Sequence, residues 1–318
     1  MDRRSFMGAL GAGMAAASGL ARAQGGPTRI IVGATPGGGT DTVARMLAAQ
    51  LANYVPGTYV VDNRPGAGGN IAAQAVAHAE PDGRTLLVCY TSHAINATLY
   101  GNLSFDPVKS FQPIAYVASA PSILVAHPSV RANNVKELIA LAQARPGTLN
   151  IALPGIGSAG HLCAEVLKEE TKVDLVLVPY KGTAPAMTDV LGGQVQLMFA
   201  GAALARPQLE GKTLKALGVS SARRMEILPA IPPIADTLPG YDFNAWYGLL
   251  GPAGMDGGLA DRLSAATGRI LADPANRKRL MDEGLIATGS TPDGFRQFLV
   301  TEVNRWGQVV KASGARAG

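Results

Sequence analysis

Three short stretches of this 318-residue chain concentrate the residue types that can hold an anion without a charged side chain. They are Thr35-Pro36-Gly37-Gly38-Gly39-Thr40-Asp41, Asn63-Arg64-Pro65-Gly66-Ala67-Gly68-Gly69-Asn70 and Gly155-Ile156-Gly157-Ser158-Ala159-Gly160. Each lies just before a helical pattern, and the first also follows a buried-strand pattern over 29–34. Glycine lets backbone N–H groups converge on a ligand with no Cβ in the way. The helix that follows adds unpaired donors and the positive end of its dipole. Thr40 or Asp41 can cap that helix, and Thr40 Oγ1 can donate to a bound anion. Taken singly, any of these turns reads equally well as a plain strand-to-helix connection. Three in one chain suggest a ring of backbone donors around one cleft, suited to a carboxylate.

Other chemistries find less support. No Lys follows the first glycines, so that turn is not a phosphate-binding P-loop. Gly155, Gly157 and Gly160 match a dinucleotide fingerprint, and Asp174 lies 19 residues after Gly155. That acid should end the next strand, but it precedes the strand pattern at 175–178, so no nicotinamide cofactor is expected. Ser158 lacks the first glycine of a nucleophile elbow, because Ile156 stands there. A Ser–His pair brought together by folding stays open at this level, which keeps a secreted hydrolase as the competing enzyme reading. No two of His78, His93, His127 and His161 lie at i, i+4, so no metal site is expected. Cys89 and Cys163 fall in different units and read as two separate buried thiols. Neither catalytic residues nor cofactors are assigned.

The elements that must position these turns form an α/β pattern. Strand patterns at 29–34, 59–61 and 85–90 alternate with helices at 41–54 and 71–78. After an extended stretch at 114–125 the alternation restarts and runs to 214–219. A second extended stretch, 243–251, precedes helices near 259–271, 274–283 and 295–311. Two extended stretches bracketing one α/β unit predict discontinuous domains: lobe 1 over 24–122 and 247–318, lobe 2 over 123–246. A cleft between such lobes is where ligands sit.

Residues 1–23 read as a signal peptide: Arg3 and Arg4, an apolar run over 6–20, then Ala21-Arg22-Ala23. The paired arginines resemble a twin-arginine signal. The composition, 47% hydrophobic and 16% charged, is that of a globular protein, with formal charge +5. Removing 1–23 takes away three arginines and one aspartate, which leaves +3 and no case for nucleic acid. No later apolar run approaches the roughly 20 residues a membrane span needs.

The order of motifs resembles the Bug family, the periplasmic solute receptors of tripartite tricarboxylate transporters. The matching segments are PGGGTDTVARMLA (36–48), NRPGAGGNIAA (63–73), PDGRTLL (81–87), VPYKGTAPAMTDVLGGQVQLMF (178–199), LKALGVSSARR (214–224) and LPAIPPIADTLPGYDFNAWYGLLGPAGM (228–255). The resemblance implies a two-lobed, Venus-flytrap periplasmic binding protein that closes over a small organic acid. It would act as a monomer, without catalysis, and hand its solute to a membrane permease; a ligand sensor for a signalling partner would share the fold. It also implies ligand contacts from Gly37, Gly38, Gly39, Thr40 and Asp41, with Thr35 beside them and Ala67 and Gly68 in the second turn. Thr91-Ser92-His93 resembles the next ligand-facing segment, through Ser92 and His93. From lobe 2 come Gly157, Ser158, Ala159, Gly160, Thr183 and Ala184.

Two positions depart from the family. Ala34-Thr35 stands where Phe is common, and Ala200 where an Asp often follows the strand. Without that carboxylate a dicarboxylate or aromatic carboxylate is expected rather than an amino acid. Tyr90, Tyr180, Phe199 and Trp246 are candidates to pack a ligand's apolar body, with a core role the competing and favoured reading of each.

Overall fold

The computed structural model describes residues 26–155 and 157–316, so the expected signal peptide lies outside the described residues. The first half of lobe 1 alternates strand and helix: β1 (Thr28–Val32), α1 (Gly39–Leu51), β2 (Tyr59–Asn63), α2 (Asn70–Ala77), β3 (Thr85–Tyr90), α3 (Ser92–Leu99) and β4 (Phe111–Ala120). In β1, Ile30, Ile31 and Val32 are all buried, which is why the strand reads as a continuous apolar run with no alternation. α1 places Val43, Leu47 and Leu51 on one buried stripe, as 3.6-residue periodicity requires.

The chain then builds lobe 2: β5 (Ser122–Ala126), α4 (Val135–Ala144), β6 (Leu149–Leu153), α5 (Ala159–Thr171), β7 (Leu175–Pro179), α6 (Thr183–Leu191), β8 (Leu197–Gly201), α7 (Ala202–Glu210) and β9 (Lys215–Val219). It returns to lobe 1 with β10 (Ala245–Pro252), α8 (Gly257–Ala272), α9 (Pro274–Asp282), β11 (Ile286–Ala287) and α10 (Pro292–Ser313). Two sheets result, ordered β11-β4-β10-β3-β1-β2 and β7-β6-β8-β5-β9. The extended stretch expected at 114–125 is therefore two strands in two sheets. Pro121 separates them, having no N–H to continue a ladder.

Sheet membership gives the crossings. Ser122 pairs with Gly201 in the second sheet, and Ala245 with Ala120 in the first. The two crossings are tied together: Ser122 N–H donates to Ser220 Oγ, and Ser220 N–H to the Ser122 carbonyl, both at 2.8 Å.

Register then dictates where the lobes face each other. β3 and β1 are parallel, and β10 runs antiparallel between β3 and β4, with Tyr247 opposite Tyr90 and Ala245 opposite Ala120. The carboxyl ends of β1, β2 and β3 thus share the edge where the chain leaves lobe 1. In lobe 2, β6 is parallel to β7 and β8, and the end of β8 at Gly201 meets the start of β5. Both lobes present strand carboxyl ends to the crossing, the usual place for ligands in α/β sheets.

One apolar cluster continues from lobe 1 to lobe 2 and includes Leu99, Leu162, Phe243 and Trp306. Within it, Glu302 on α10 accepts both the Trp246 and Trp306 indole N–H groups on one oxygen, each at 2.7 Å. That carboxylate locks β10 to α10 right behind the crossing.

Candidate functional site

Six helices begin at the two facing edges, and five of them start without a side-chain cap. α1, α2, α6 and α7 have glycine at the cap position: Gly38, Gly69, Gly182 and Gly201. α3 follows Thr91, whose Oγ1 instead accepts the Trp246 N–H at 2.8 Å. The first N–H groups of such helices have no intrahelical partner and can serve as donors at the positive end of a dipole, although at α2 the Asn70 N–H is already taken by the Ala67 carbonyl.

In lobe 1 the first glycine turn is held by Asp41. Its Oδ2 accepts the Gly37 N–H at 3.0 Å and Arg45 Nε at 2.8 Å, while Oδ1 accepts Asn63 Nδ2 at 3.0 Å. The Arg45 hydrogen bond, chiefly, holds the Asp41 carboxyl below the usual range. Asp41 is 4% exposed. It shapes the turn and occupies the Gly37 N–H, so neither group matches the direct ligand role expected of it. Gly38 is different: its φ of −93° is ordinary, and a Cβ there would meet no atom within 4 Å. Thr35, Gly37 and Gly38 are exposed, and Thr40 is buried at the helix start.

The second turn lies against the first. A Cβ on Gly33 would come 2.6 Å from Gly69 Cα, so the two loops touch by backbone. Ala67 (φ 47°) and Gly68 (φ 63°) are exposed, with the Gly68 carbonyl bound by Asn96 Nδ2 at 3.0 Å. Two phenols stand beneath: a Cβ on Gly39 would be 2.5 Å from Tyr247 Oη, and one on Gly69 would be 3.0 Å from Tyr90 Oη. Burial pushes both pKa values up, Tyr247 to about 12, so both hydroxyls stay protonated; that of Tyr90 donates to the Gly33 carbonyl at 3.4 Å. Tyr247 was not foreseen. Its approach to Gly39 depends on β10 inserting beside β3, which no local spacing reveals.

In lobe 2 the third turn is more fully committed. Ser158 caps α5 by accepting the His161 N–H at 3.1 Å, and Gly157 N–H donates to His161 Nδ1 at 3.0 Å. His161 Nε2 meets Glu165 at 3.3 Å. Its lone pair on Nδ1 faces Gly157 and not the Ser158 hydroxyl, so no serine–imidazole pair forms here. Gly157 is buried, and a Cβ there would lie 2.5 Å from Leu99 Cδ2 of lobe 1. Ser158, Ala159 and Gly160 are half-buried, while Thr183 and Ala184 are exposed at the start of α6.

His93 and Ala200 are buried where a ligand-facing position was expected. His93 is 6% exposed, its Nε2 bonded to the Pro107 carbonyl at 2.8 Å and its ring packed on Phe105 and Phe111. Desolvation lowers its pKa to about 4, so it is a neutral core residue at a helix start. Ser92 beside it is half-buried. Ala200 is 1% exposed within lobe 2's own core; both faces of β8 are buried, and only its last residue, Gly201, is exposed. Trp246 and Phe199 are core, the reading favoured for them above, and the Tyr180 hydroxyl is engaged by Asp189 at 2.7 Å. Cys89 and Cys163 are free and buried.

The neighbours of this fold are consistent. The profile of the tripartite tricarboxylate transporter family receptor matches residues 43–315. Protein BugT of Bordetella pertussis (strain Tohama I) is 32% identical over 293 residues, 91% of this chain and 90% of that one. The structure of an R. palustris protein with adipate is 32% identical, with TM-score 0.79, covering 91% of this chain and 97% of that chain. MatC from Rhodopseudomonas palustris with bound malate is 33% identical, with TM-score 0.75 and coverage of 89% and 98%. The periplasmic binding protein BugD is 33% identical, with TM-score 0.76 and coverage of 91% and 98%. These neighbours are solute-binding receptors and not enzymes. With two-lobed architecture and a match across most of its length, the chain belongs to the tripartite tricarboxylate transporter family of receptors.

Proposed function

We propose that this receptor closes its lobes over a small dicarboxylate in the periplasm and hands it to a membrane permease. The carrying observation is the pair of cap glycines, Gly38 and Gly201. Both have ordinary φ, −93° and −65°, and a Cβ at either would meet no protein atom within 4 Å. Neither packing nor conformation demands glycine there; keeping helix N–H groups open to an anion does. One such start in each lobe suits a molecule with an acid at each end. The adipate- and malate-bound neighbours support this class. No lysine or arginine competes for the role at the first turn, since Arg45 is engaged by Asp41.

Closure would hinge at Pro121 and near 242–244 at the end of the return segment, since Met225 and Ile231 pack in lobe 2's core, with lobe 1 as 26–120 and 245–316. Periplasmic residence is supported by the periplasmic neighbours and by the signal-like residues 1–23. Among the described residues no helix is long and apolar enough to cross a membrane.

A thermal-shift screen of four- to six-carbon dicarboxylates, malate and adipate included, tests the reading. A true ligand at about 100 times its dissociation constant stabilises the folded state by about 2.7 kcal/mol. The neutral diester of the same compound should not. Equal stabilisation by the diester would refute carboxylate recognition.

A further inference from the structure

A second concave surface spans both lobes on the flank of the crossing, bordering the α7 start. It is a groove of about 640 Å³ between the segment that follows β9 and the α9–β11 turn. Arg223 and Arg224 form the lobe 2 wall, and Arg277 and Lys278 on α9 the lobe 1 wall; Glu226 is the acid among its lining residues. Lys278 is paired with Asp282 at 2.8 Å, but among the described residues no ion pair reaches Arg223, Arg224 or Arg277. Between the walls the floor is apolar: Met225 and Leu285 are buried, and Ile286 is 44% exposed on the edge strand β11.

Arg224 donates to the Pro229 carbonyl at 2.9 Å, which leaves Arg223 and Arg277, one from each side, without a side-chain partner among the described residues and lying over an apolar floor. Like charges so placed repel, and exposed apolar floors rimmed by charge mark interaction sites. The groove also has a mechanical link to the cleft. Gly284, in its lining, lies directly against Ala202, the first residue of α7, where a Cβ would overlap it. Any movement of the Gly201 helix start relative to lobe 1 therefore moves the groove's two walls relative to each other.

We propose that this groove docks an acidic, apolar-faced peptide segment of a protein partner, with a strength that depends on how the lobes are set. Carboxylates of the segment meet Arg223, Arg224 and Arg277, and its apolar residues cover Ile286 and Leu285. The recessed floor favours a peptide over a membrane surface, which would meet a flat basic face more fully than a trough. A partner that must tell a closed receptor from an open one has to touch both lobes, and this groove lets one short segment do so. The inference is independent of which solute the cleft takes.

The test is photo-cross-linking in the native host, using the full chain with p-benzoylphenylalanine in place of Ile286. The expected result is a cross-link that maps to a partner stretch with Asp or Glu flanking apolar residues. Its yield should fall at least tenfold in Arg223→Glu/Arg277→Glu and several-fold in the milder Arg223→Gln/Arg277→Gln. It should persist in Arg131→Glu/Lys136→Glu, a reversal on an exposed surface of lobe 2 outside the groove. Melting temperatures of the purified variants should equal the parent's, which separates docking from folding. No cross-link, a cross-link to a segment without acids, or equal loss in the control reversal would overturn the proposal. So would charge-dependent sedimentation of the purified protein with phosphatidylglycerol vesicles through Arg223 and Arg277, which would identify lipid headgroups as the occupant.

Discussion

Helices in this receptor start in two ways, and the division follows position. Away from the facing edges, every α-helix among the described residues has a side-chain cap: Asn134 on α4, Asp256 on α8, Asp273 on α9 and Thr291 on α10, each accepting a backbone N–H of its first turn. At the edges, five of six starts have none, and four carry glycine. Side-chain caps are the stabilising choice, and their absence leaves donors unsatisfied. Where the fold alone is at stake the sequence supplies an oxygen; where the lobes meet, it leaves the donors for something else. Ser158 on α5 is the exception, and it belongs to a turn whose N–H at Gly157 is already taken by His161.

The largest effect expected bears on the α3 start, where an uncapped helix carries a buried histidine. If His93 belongs to the core, its folded pKa of about 4 lies well below the ordinary 6.5 of an unfolded chain. The native state then binds fewer protons between those values. Its contribution is present in full above pH 6.5 and is lost as pH falls toward 4, on the order of 3 kcal/mol. Desolvation also lowers His161, which adds in the same direction. Urea unfolding at pH 7.5, 6, 5 and 4.5 should show this decline, and His93→Gln should flatten it. A His93 ring that titrates near 6.5 by NMR would mean that it faces the cleft, and the correction made above would fail.

Next comes the contrast between glycines the fold needs and glycines it does not. Gly38→Val puts its side chain into open space at an extended φ, ψ of −93°, 173°. The unliganded protein should lose no more than about 1 kcal/mol, the cost of a poorer cap residue. Most of the roughly 2.7 kcal/mol gained from saturating ligand should vanish. Gly157→Ala should do the reverse. Its φ of 77° and the Leu99 methyl 2.5 Å from a new Cβ should cost about 1–3 kcal/mol of stability without ligand. Calorimetry with and without ligand separates the two. If Gly38→Val binds normally, the glycine caps are unrelated to recognition.

Much of this contrast was legible beforehand, and the gaps have physical causes. The glycine turns stand out because their residue types are local and their spacing to the next helix is short. The motif order, from PGGGTDTVARMLA onward, carries the family and with it the two-lobed fold. What local pattern hides is direction and long-range company. The apolar run at 114–125 looks like one strand because both its halves are buried; only Pro121 marks the change of sheet. Asp41 looks like a ligand or cap residue, whereas Asn63 and Arg45 fold it under the turn. Ala200 and Gly201 differ by one residue; both faces of β8 are buried, and only where the strand ends does a residue reach the edge. Tyr247 could have drawn notice only if β10 had been placed beside β3.

The smallest effects sharpen the comparison most, because they compare like with like. Asn134→Ala removes an ordinary cap whose side chain accepts the Glu137 N–H at 2.8 Å. It should cost about 1 kcal/mol and leave ligand response unchanged. Gly201→Ser makes the opposite exchange at the lobe 2 edge. The φ, ψ of −65°, 152° suits a cap, nothing lies within 4 Å of the new Cβ, and a serine hydroxyl can reach the free N–H groups of α7. The unliganded protein should therefore gain a few tenths of a kcal/mol, since serine caps slightly better than glycine. Ligand-dependent stabilisation should fall, because the serine oxygen now occupies donors that a carboxylate would use. A rise in unliganded stability together with a loss of ligand response is the signature of a site kept open at the fold's expense. If Gly201→Ser gains stability and binds as well as the parent, lobe 2 contributes no anion site at α7. The second carboxylate would then have to be sought at the Gly182 start of α6.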